Sequence, residues 1–181
     1  MNIADLATLP PTVLNVAAQL LVSEFSAPSG WPDPRAARNE VEHILKEGFA
    51  RAAIVGDELV GWAGALPEYH GHVWELHPVV VQREHRERGI GRALVAAIEQ
   101  EARRRGAQTL TLGTDDDAIM TSVGGIDLYP QVLDHLRQLK DLGRRHPFLF
   151  YQRLGFAVTG IMPDANGPGK PDIYMSKRLG S

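Results

Sequence analysis

The stretch His85-Arg86-Glu87-Arg88-Gly89-Ile90-Gly91-Arg92-Ala93-Leu94 decides which fold the chain is expected to adopt. Gly89 and Gly91 stand between a segment of β character, 75–81, and a segment whose apolar residues recur with helical spacing. Glycine lets the backbone approach a ligand closely, and the first N–H groups of a helix have no partner within the helix. The stretch therefore predicts an anion-binding turn at the start of a helix.

The glycine spacing distinguishes two kinds of anion-binding loop. In a dinucleotide-binding fingerprint, Gly-x-Gly-x-x-Gly, the third glycine would fall at Leu94, and the turn would follow a first strand rather than lie in mid-chain. With Arg86 three residues before Gly89, the run instead reads Arg-x-x-Gly-x-Gly, which resembles the coenzyme A pyrophosphate loop of the GNAT N-acetyltransferases. The resemblance implies that the pyrophosphate is cradled by Arg86, Gly89, Ile90, Gly91 and Arg92.

Length and composition are those of an ordinary globular protein. The 181 residues are 44% hydrophobic and 23% charged, and we expect one domain over residues 1–181. No segment approaches the roughly 20 apolar residues of a membrane span, and the N-terminus lacks the pattern of a signal peptide. The sequence therefore predicts a cytoplasmic protein with no membrane partner.

Residue counts exclude several kinds of chemistry. Since the chain has no cysteine, it has no disulfide, no thiolate metal site and no cysteine nucleophile. The seven histidines show no convincing metal-ligand spacing, so we expect no metal. A net charge of −3 argues against a nucleic-acid partner.

The order of the predicted elements indicates an α/β (α+β) fold, with helices flanking a mixed sheet. Apolar periodicity and turn residues place the elements at about 11–25, 34–46, 51–55, 58–66, 72–81, 89–105, 108–112, 128–139, 147–154, 156–162 and 173–178. Pro78 lies inside the third strand, where it removes an N–H from the ladder, and this predicts a bulge or a splay there.

Four further segments resemble one branch of the GNAT superfamily, the aminoglycoside 6'-N-acetyltransferases. They are Trp74-Glu75-Leu76-His77-Pro78-Val79-Val80-Val81, Leu112-Gly113-Thr114-Asp115-Asp116, residues 146–156, and residues 163–175. The matches extend from about residue 50 to the end, whereas residues 1–50 match only in general character. The resemblance implies the GNAT fold, with a mostly antiparallel sheet and a splayed central strand pair. It also implies acetyl transfer from acetyl-CoA to the 6'-amine of antibiotics such as kanamycin or tobramycin.

The resemblance and the chemistry of the reaction together suggest catalytic residues. Backbone groups of Val79 and Val81 are expected to face the cofactor, with the Val79 N–H polarising the thioester carbonyl. An ammonium must lose a proton before it attacks, so Glu75 is the candidate general base, although a surface glutamate on a strand also fits. Tyr151 matches the GNAT tyrosine that protonates the leaving thiolate, although packing in an aromatic cluster also fits.

An aminoglycoside is a polycation, which suggests a role for the acidic run 115–117. Asp115 and Asp116 directly follow a strand, where their side chains could meet ammonium groups; Asp117 departs from the matched pattern. Trp31 and Tyr69 are candidates to stack on sugar rings, although they could equally be packing caps. The candidate substrate-binding residues are Trp31, Tyr69, Glu75, His77, Asp115, Asp116 and Asp172.

Two other functions fit the same residues. A GNAT enzyme could acetylate a polyamine, a protein N-terminus or another small amine, because an acidic cleft suits spermidine as well as an antibiotic. A protein of another class, a non-catalytic acetyl-CoA-binding module, would bind the cofactor without transferring the acetyl group. A homodimer is expected from the family and from the frequency of two-fold assemblies.

Overall fold

The computed structural model describes residues 1–25 and 30–180. Within them the elements are β1 (Asn2–Asp5), α1 (Pro11–Glu24), α2 (Pro34–Glu47), β2 (Phe49–Val55), β3 (Glu58–Glu68), β4 (Val73–Val81), α3 (Ile90–Arg104), β5 (Thr109–Asp115), α4 (Val132–Arg137), α5 (Phe148–Arg153), β6 (Ala157–Met162) and β7 (Asp172–Arg178). Three short 3-10 turns cover Leu6–Thr8, Tyr69–Gly71 and Arg83–His85. None of the described helices is long and apolar enough to cross a membrane.

The strands follow the order β1-β2-β3-β4-β5-β7-β6 in one sheet. The pairs β1–β2, β2–β3, β3–β4 and β6–β7 are antiparallel, whereas β4 and β5 are neighbours joined through α3 and run parallel. The predicted mixed, mostly antiparallel α/β fold is confirmed. Splaying of the central pair stays a prediction.

The chain divides into two compact units, residues 1–110 with 179–180 and residues Thr111–Arg178. We call them unit 1 and unit 2. The expectation of a single domain over residues 1–181 stays a prediction.

The core of unit 1 lies between the first two helices and strands β2 to β4. Leu21, Ile44 and Trp62 are fully buried in it, and the Trp62 indole N–H donates to the Ala17 carbonyl at 3.0 Å. The start of α2 follows from local sequence, because the Asp33 carboxylate accepts from the Ala36 N–H at 2.8 Å and Pro34 occupies the first turn.

The bulge predicted from Pro78 is present in β4. Ala63 pairs with Val79 and Ala65 with Leu76, so β4 has one residue more than β3 across this interval. Gly64 lies opposite the bulge, and a Cβ built there would be 2.6 Å from the His77 carbonyl oxygen. The extra residue of β4 therefore depends on a strand partner without a side chain.

Strand β2 and helix α3 are joined by an ion cluster around Glu101. This almost buried carboxylate accepts from Arg104 at 2.6 and 2.8 Å and from Arg105 at 2.8 Å, and it lies 3.1 Å from Arg51. Its hydrogen bonds to Arg104, with those to Arg105 and the charge of Arg51, lower the pKa of Glu101 to about 2. Arg105 also stacks over Phe49, 4.6 Å from the ring centre.

Unit 2 packs its helices and strands around a second set of buried side chains. They include Leu112, Phe148, Phe156, Ile173 and Met175. Helix α4 is only six residues long, shorter than the predicted 128–139, because Pro130 disfavours helical backbone at the residue before it.

Candidate active site

Strand β4 presents the predicted site residues on two faces, because the bulge reverses the alternation of its side chains. Glu75 pairs with Leu66, on the face of β3 that also carries Trp62, whereas Val79 pairs with Ala63 and Val81 with Gly61, on the other face. Glu75, His77, Val79 and Val81 are all partly exposed. The predicted base and the two predicted cofactor contacts therefore lie on one strand but on opposite faces of it.

Glu75 lies in an environment that raises its proton affinity. Burial raises the pKa of this carboxyl above its ordinary value of 4.5, with the charges of Glu68 and Glu40 adding to the effect and that of His77 opposing it. A carboxylate whose pKa is raised accepts a proton more readily than an ordinary carboxylate. The environment of Glu75 thus suits a general base.

His77 lies between a carboxylate and an aromatic ring. Its Nε2 is 3.5 Å from Glu40 Oε1, and its ring centre is 5.9 Å from that of Trp31. The hydrogen bond from His77 lowers the pKa of Glu40, although burial acts in the opposite direction. Trp31 packs edge-on against Phe25 at 5.3 Å. Glu40 was not predicted as a site residue, because its position on α2 gives no local signal of its proximity to His77.

Tyr69 lies just before β4, in the 3-10 turn Tyr69–Gly71. It is 73% exposed, so its ring is available to a ligand without disturbing the core. The turn holds Tyr69 and His70 at positive φ, 46° and 59°.

The glycine turn has the geometry expected of an anion site. Gly89 has φ 82°, and a Cβ built there would meet nothing within 4 Å. No side chain caps the 15-residue helix α3, so its first N–H groups are not taken up by a capping oxygen. Buried Ile90 anchors this end of α3, while Arg92 is exposed beside it. The turn therefore fits a pyrophosphate at a helix N-terminus.

Arg86 is held by the end of β4 and by α1. Its Nε donates to the Val81 carbonyl at 3.0 Å, and its Nη2 donates to Glu24 Oε2 at 2.6 Å. The guanidinium is thereby fixed next to one of the predicted cofactor contacts. Like Glu40, Glu24 was not predicted, since it lies 62 positions away from Arg86 along the chain.

In unit 2, Asp115 is the last residue of β5, and its side chain is exposed. Its carboxylate accepts from the Asn166 amide, and its carbonyl oxygen is 3.0 Å from His146 Nε2. His146 Nδ1 accepts from the Phe148 N–H at 3.2 Å, which places the ring proton on Nε2. Burial lowers the pKa of His146, so the ring stays neutral and donates to the Asp115 carbonyl.

Asp116 faces inward instead. Its fully buried carboxylate accepts from the Met120 N–H at 2.6 Å, the Thr121 N–H at 3.0 Å and the Thr121 hydroxyl at 2.7 Å. In this conformation the carboxylate offers no surface to a substrate cation. The geometry favours a role for Asp116 in holding the loop that follows β5, rather than the direct substrate contact predicted from sequence.

Asp172 and Asp117 are partly buried in the same unit. A Cβ at Gly113 would lie 2.4 Å from Asp172 Oδ2, so the glycine makes room for this carboxylate. Burial and the neighbouring charge of Asp115 raise the pKa of Asp117, which Lys170 opposes.

Tyr151 lies on α5 among aromatic rings. Its ring centre is 5.0 Å from that of Phe150 and 5.7 Å from that of Phe156, both edge-on. Burial raises the pKa of Tyr151, so its hydroxyl keeps the proton throughout the neutral range. Aromatic packing and a proton-donating hydroxyl are therefore compatible in this side chain.

Over the residues that the structure describes, no group of three or more histidine, aspartate or glutamate side chains is placed to hold a metal ion.

Comparison with known proteins gives one family match and several hundred structural matches. A family model described as acetyltransferase (GNAT) matches residues 16–123. No curated protein matches the chain. The solved structures that match it include three that are more than 30% identical to it over nearly their whole length.

The first is an aminoglycoside 6'-N-acetyltransferase in complex with coenzyme A. It is 36% identical with a TM-score of 0.89, over 100% of this chain and 98% of that one. The aminoglycoside 6'-N-acetyltransferase from Enterococcus faecium is 38% identical with a TM-score of 0.89 and the same coverage. An aminoglycoside 6'-acetyltransferase of type Ii is 35% identical with a TM-score of 0.75, over 100% and 99%.

Proposed function

Because the chain belongs to the GNAT family of acetyltransferases, we propose that it transfers the acetyl group of acetyl-CoA to the 6'-amino group of aminoglycoside antibiotics. The observation that carries this proposal is the full-length similarity to three aminoglycoside 6'-acetyltransferases, one of them in complex with coenzyme A.

Acetyl-CoA binding is assigned to unit 1. The N–H groups of Gly89, Ile90, Gly91 and Arg92 are directed to the pyrophosphate, and the Arg86 guanidinium adds charge at the same place. The backbone of Val79 and Val81 pairs with the pantetheine arm. Support for this assignment comes from the uncapped start of α3 and from the position of both valines at the end of β4 that leads to the glycine turn.

Acetyl transfer forms a C–N bond and breaks the C–S bond of the thioester. Glu75 accepts the proton that the attacking ammonium must lose, directly or through a water molecule, and its raised pKa supports this role. The Val79 N–H donates to the thioester oxygen as negative charge develops there. Tyr151 donates its hydroxyl proton to the departing sulfur and regains a proton from the nitrogen, which loses its second proton as the amide forms.

The aminoglycoside is bound by carboxylates, which attract its ammonium groups, and by aromatic side chains, which contact its sugar rings. Asp115 and Asp172 attract substrate ammonium groups, and Asp116 holds the loop that presents Asp115. Trp31 and Tyr69 stack on sugar rings. His77, next to Trp31, orients the substrate or a water molecule.

The test measures coenzyme A release from acetyl-CoA with three acceptors: kanamycin, an aminoglycoside with a 6'-hydroxyl in place of the amine, and spermidine. We expect turnover with kanamycin and little with the other two. Preference for spermidine would make the protein a polyamine acetyltransferase. Binding of acetyl-CoA without turnover of any acceptor would favour a non-catalytic module.

Assembly and location are proposed on the same family basis. The enzyme is expected to be a single domain that works as a homodimer in the cytoplasm. Light scattering coupled to size-exclusion chromatography tests the dimer, for which a monomer mass is the contradicting result.

A further inference from the structure

Glu24, the last residue of α1, is placed where a helix does not favour a carboxylate. The C-terminal end of a helix carries partial negative charge, so an anionic side chain there is destabilising unless other donors compensate. The Glu24 side chain is nevertheless only 11% exposed. Its burial at this end of α1 requires partners from outside the helix.

Those partners come from the two ends of the 3-10 turn Arg83–His85. Glu24 Oε2 accepts from Arg86 Nη2 at 2.6 Å, and Oε1 accepts from the backbone N–H of Arg83 at 3.3 Å. Arg86 is the residue that closes the turn, with its own N–H donating to the Arg83 carbonyl at 3.2 Å. One carboxylate thus holds the segment that connects β4 to the glycine turn.

This contact also determines which donors of Arg86 remain available. A guanidinium has five N–H donors in a rigid planar fork. One is used on the Val81 carbonyl and one on Glu24, and the side chain remains 46% exposed. Arg86 is therefore fixed in orientation while further N–H groups face outward.

We propose that Glu24 is a positioning residue for the cofactor site, which holds the Arg86 guanidinium in the orientation that binds the pyrophosphate. This inference rests on the proposed function. Glu24 touches no substrate itself and acts through the Arg86 fork. The free enzyme then presents an ordered guanidinium, which reduces the entropy lost when the cofactor binds.

The test variant is Glu24→Gln, which keeps the length of the side chain, removes its charge and leaves a single acceptor oxygen. We expect the Kd for coenzyme A, measured by calorimetry, and the KM for acetyl-CoA to rise by about tenfold, the scale of one charge-assisted hydrogen bond. The kcat should stay within about twofold, because the groups that move protons are unchanged.

Glu84→Gln is the matched control. Glu84 lies in the same 3-10 turn, is exposed, and its replacement changes the net charge by the same amount. Coenzyme A affinity should be unchanged in this variant. An equal loss of affinity in both variants would attribute the effect to net charge and overturn the proposal.

Arg86→Ala provides a second readout. If Glu24 acts through Arg86, then adding Glu24→Gln to Arg86→Ala should weaken coenzyme A binding little further. If the losses of coenzyme A affinity from the two substitutions add fully in the double variant, Glu24 does not act through Arg86. Glu24→Asp keeps the charge but draws the carboxylate back by one methylene, and wild-type affinity in that variant would contradict a role that depends on position.

The outcomes separate this inference from the proposed function. Failure of the unmodified protein to bind coenzyme A would reject the function. Tight binding by the unmodified protein, with equal or tighter binding by Glu24→Gln, would reject only the role of Glu24. A tighter variant would mean that the carboxylate competes with phosphate for Arg86.

Discussion

At the scale of single residues, the environment of Glu75 sets its acid–base behaviour. This carboxylate is partly exposed on β4, and burial with the nearby charges of Glu68 and Glu40 raises its pKa. Only the ionised form can accept a proton. Activity that depends on Glu75 is therefore present above the raised pKa and lost as the pH falls through it.

Glu75→Gln should lower kcat by roughly 10²-fold, the lower end of the range for general base catalysis. In the plot of kcat against pH, the fall of kcat at acid pH (the acid limb) should also lose the part that reflects protonation of Glu75. The measurement is kcat against pH with a saturating aminoglycoside. Glu68→Gln is the partner variant: it removes a like charge, so the acid limb should move to lower pH while kcat at neutral pH is retained. An unchanged limb in both variants would assign the titration to another group.

Tyr151→Phe separates the two roles of that side chain, since it keeps the ring between Phe150 and Phe156 and removes only the hydroxyl. We expect kcat to fall roughly tenfold to a hundredfold with the melting temperature nearly unchanged. Tyr129→Phe, at an exposed tyrosine, is the control and should retain full activity. Wild-type kcat in Tyr151→Phe would leave only the packing role.

Sequence could predict the residues whose roles are local. Gly89 and Arg86 belong to one continuous motif, and Asp33 caps the helix that follows it. Glu24 and Glu40 could not be predicted in the same way, because each meets its partner only after helices α1 and α2 have packed against the sheet.

At the scale of elements, the start of α3 combines a left-handed glycine with an uncapped helix. Gly89→Ala adds a Cβ that meets no atom within 4 Å, so its effect is on backbone conformation alone, at about 1 kcal/mol for a positive φ. The strain is relieved when the turn moves, which displaces the N–H groups that bind the pyrophosphate. We therefore expect the KM for acetyl-CoA to rise by about tenfold.

Gly56→Ala is the matched control for this substitution. Gly56 also has a positive φ, 60°, and an open Cβ position, but it lies in the turn between β2 and β3. It should lower the melting temperature by a similar amount and leave the KM for acetyl-CoA unchanged. A similar rise of KM in both variants would argue against a specific role for the glycine turn.

The cluster around Glu101 stabilises the junction of β2 and α3. Because the pKa of Glu101 is lowered to about 2 in the folded protein, its contribution is present above 4.5 and is lost as the pH falls toward 2. Glu101→Gln should lower the free energy of unfolding by about 2 kcal/mol at pH 7, measured by denaturant unfolding. The free energy of unfolding of this variant should also decrease less than that of the unmodified protein as the pH falls from 4.5 toward 2. Glu42→Gln, at an exposed glutamate paired with Arg38 on α2, should have a much smaller effect.

Element prediction succeeded where local patterns are strong and failed where tertiary contacts decide. The proline bulge in β4 and the glycine-bounded helix α3 are both present. Strand β1 was missed, because its four residues show no clean alternation and form a strand only by pairing with β2. Periodicity also overextended α4, since Leu128 lies on the far side of Pro130.

At the scale of the whole molecule, the mixed α/β fold could be predicted from the order of the elements along the chain, and membership of the GNAT family is confirmed. The motif at Arg86 contains no information about the choice of acceptor, and the roles of Trp31, Tyr69, Asp115 and Asp172 in that choice stay predictions.

The position of the acetyl group on the product tests the proposed function most directly. Tobramycin carries several amines, so two-dimensional NMR of the product formed with acetyl-CoA identifies which nitrogen was acetylated. The proposed function predicts a single product acetylated on the 6' nitrogen. Acetylation of a different amine, or no acetylated tobramycin under conditions in which the enzyme binds acetyl-CoA, would contradict it.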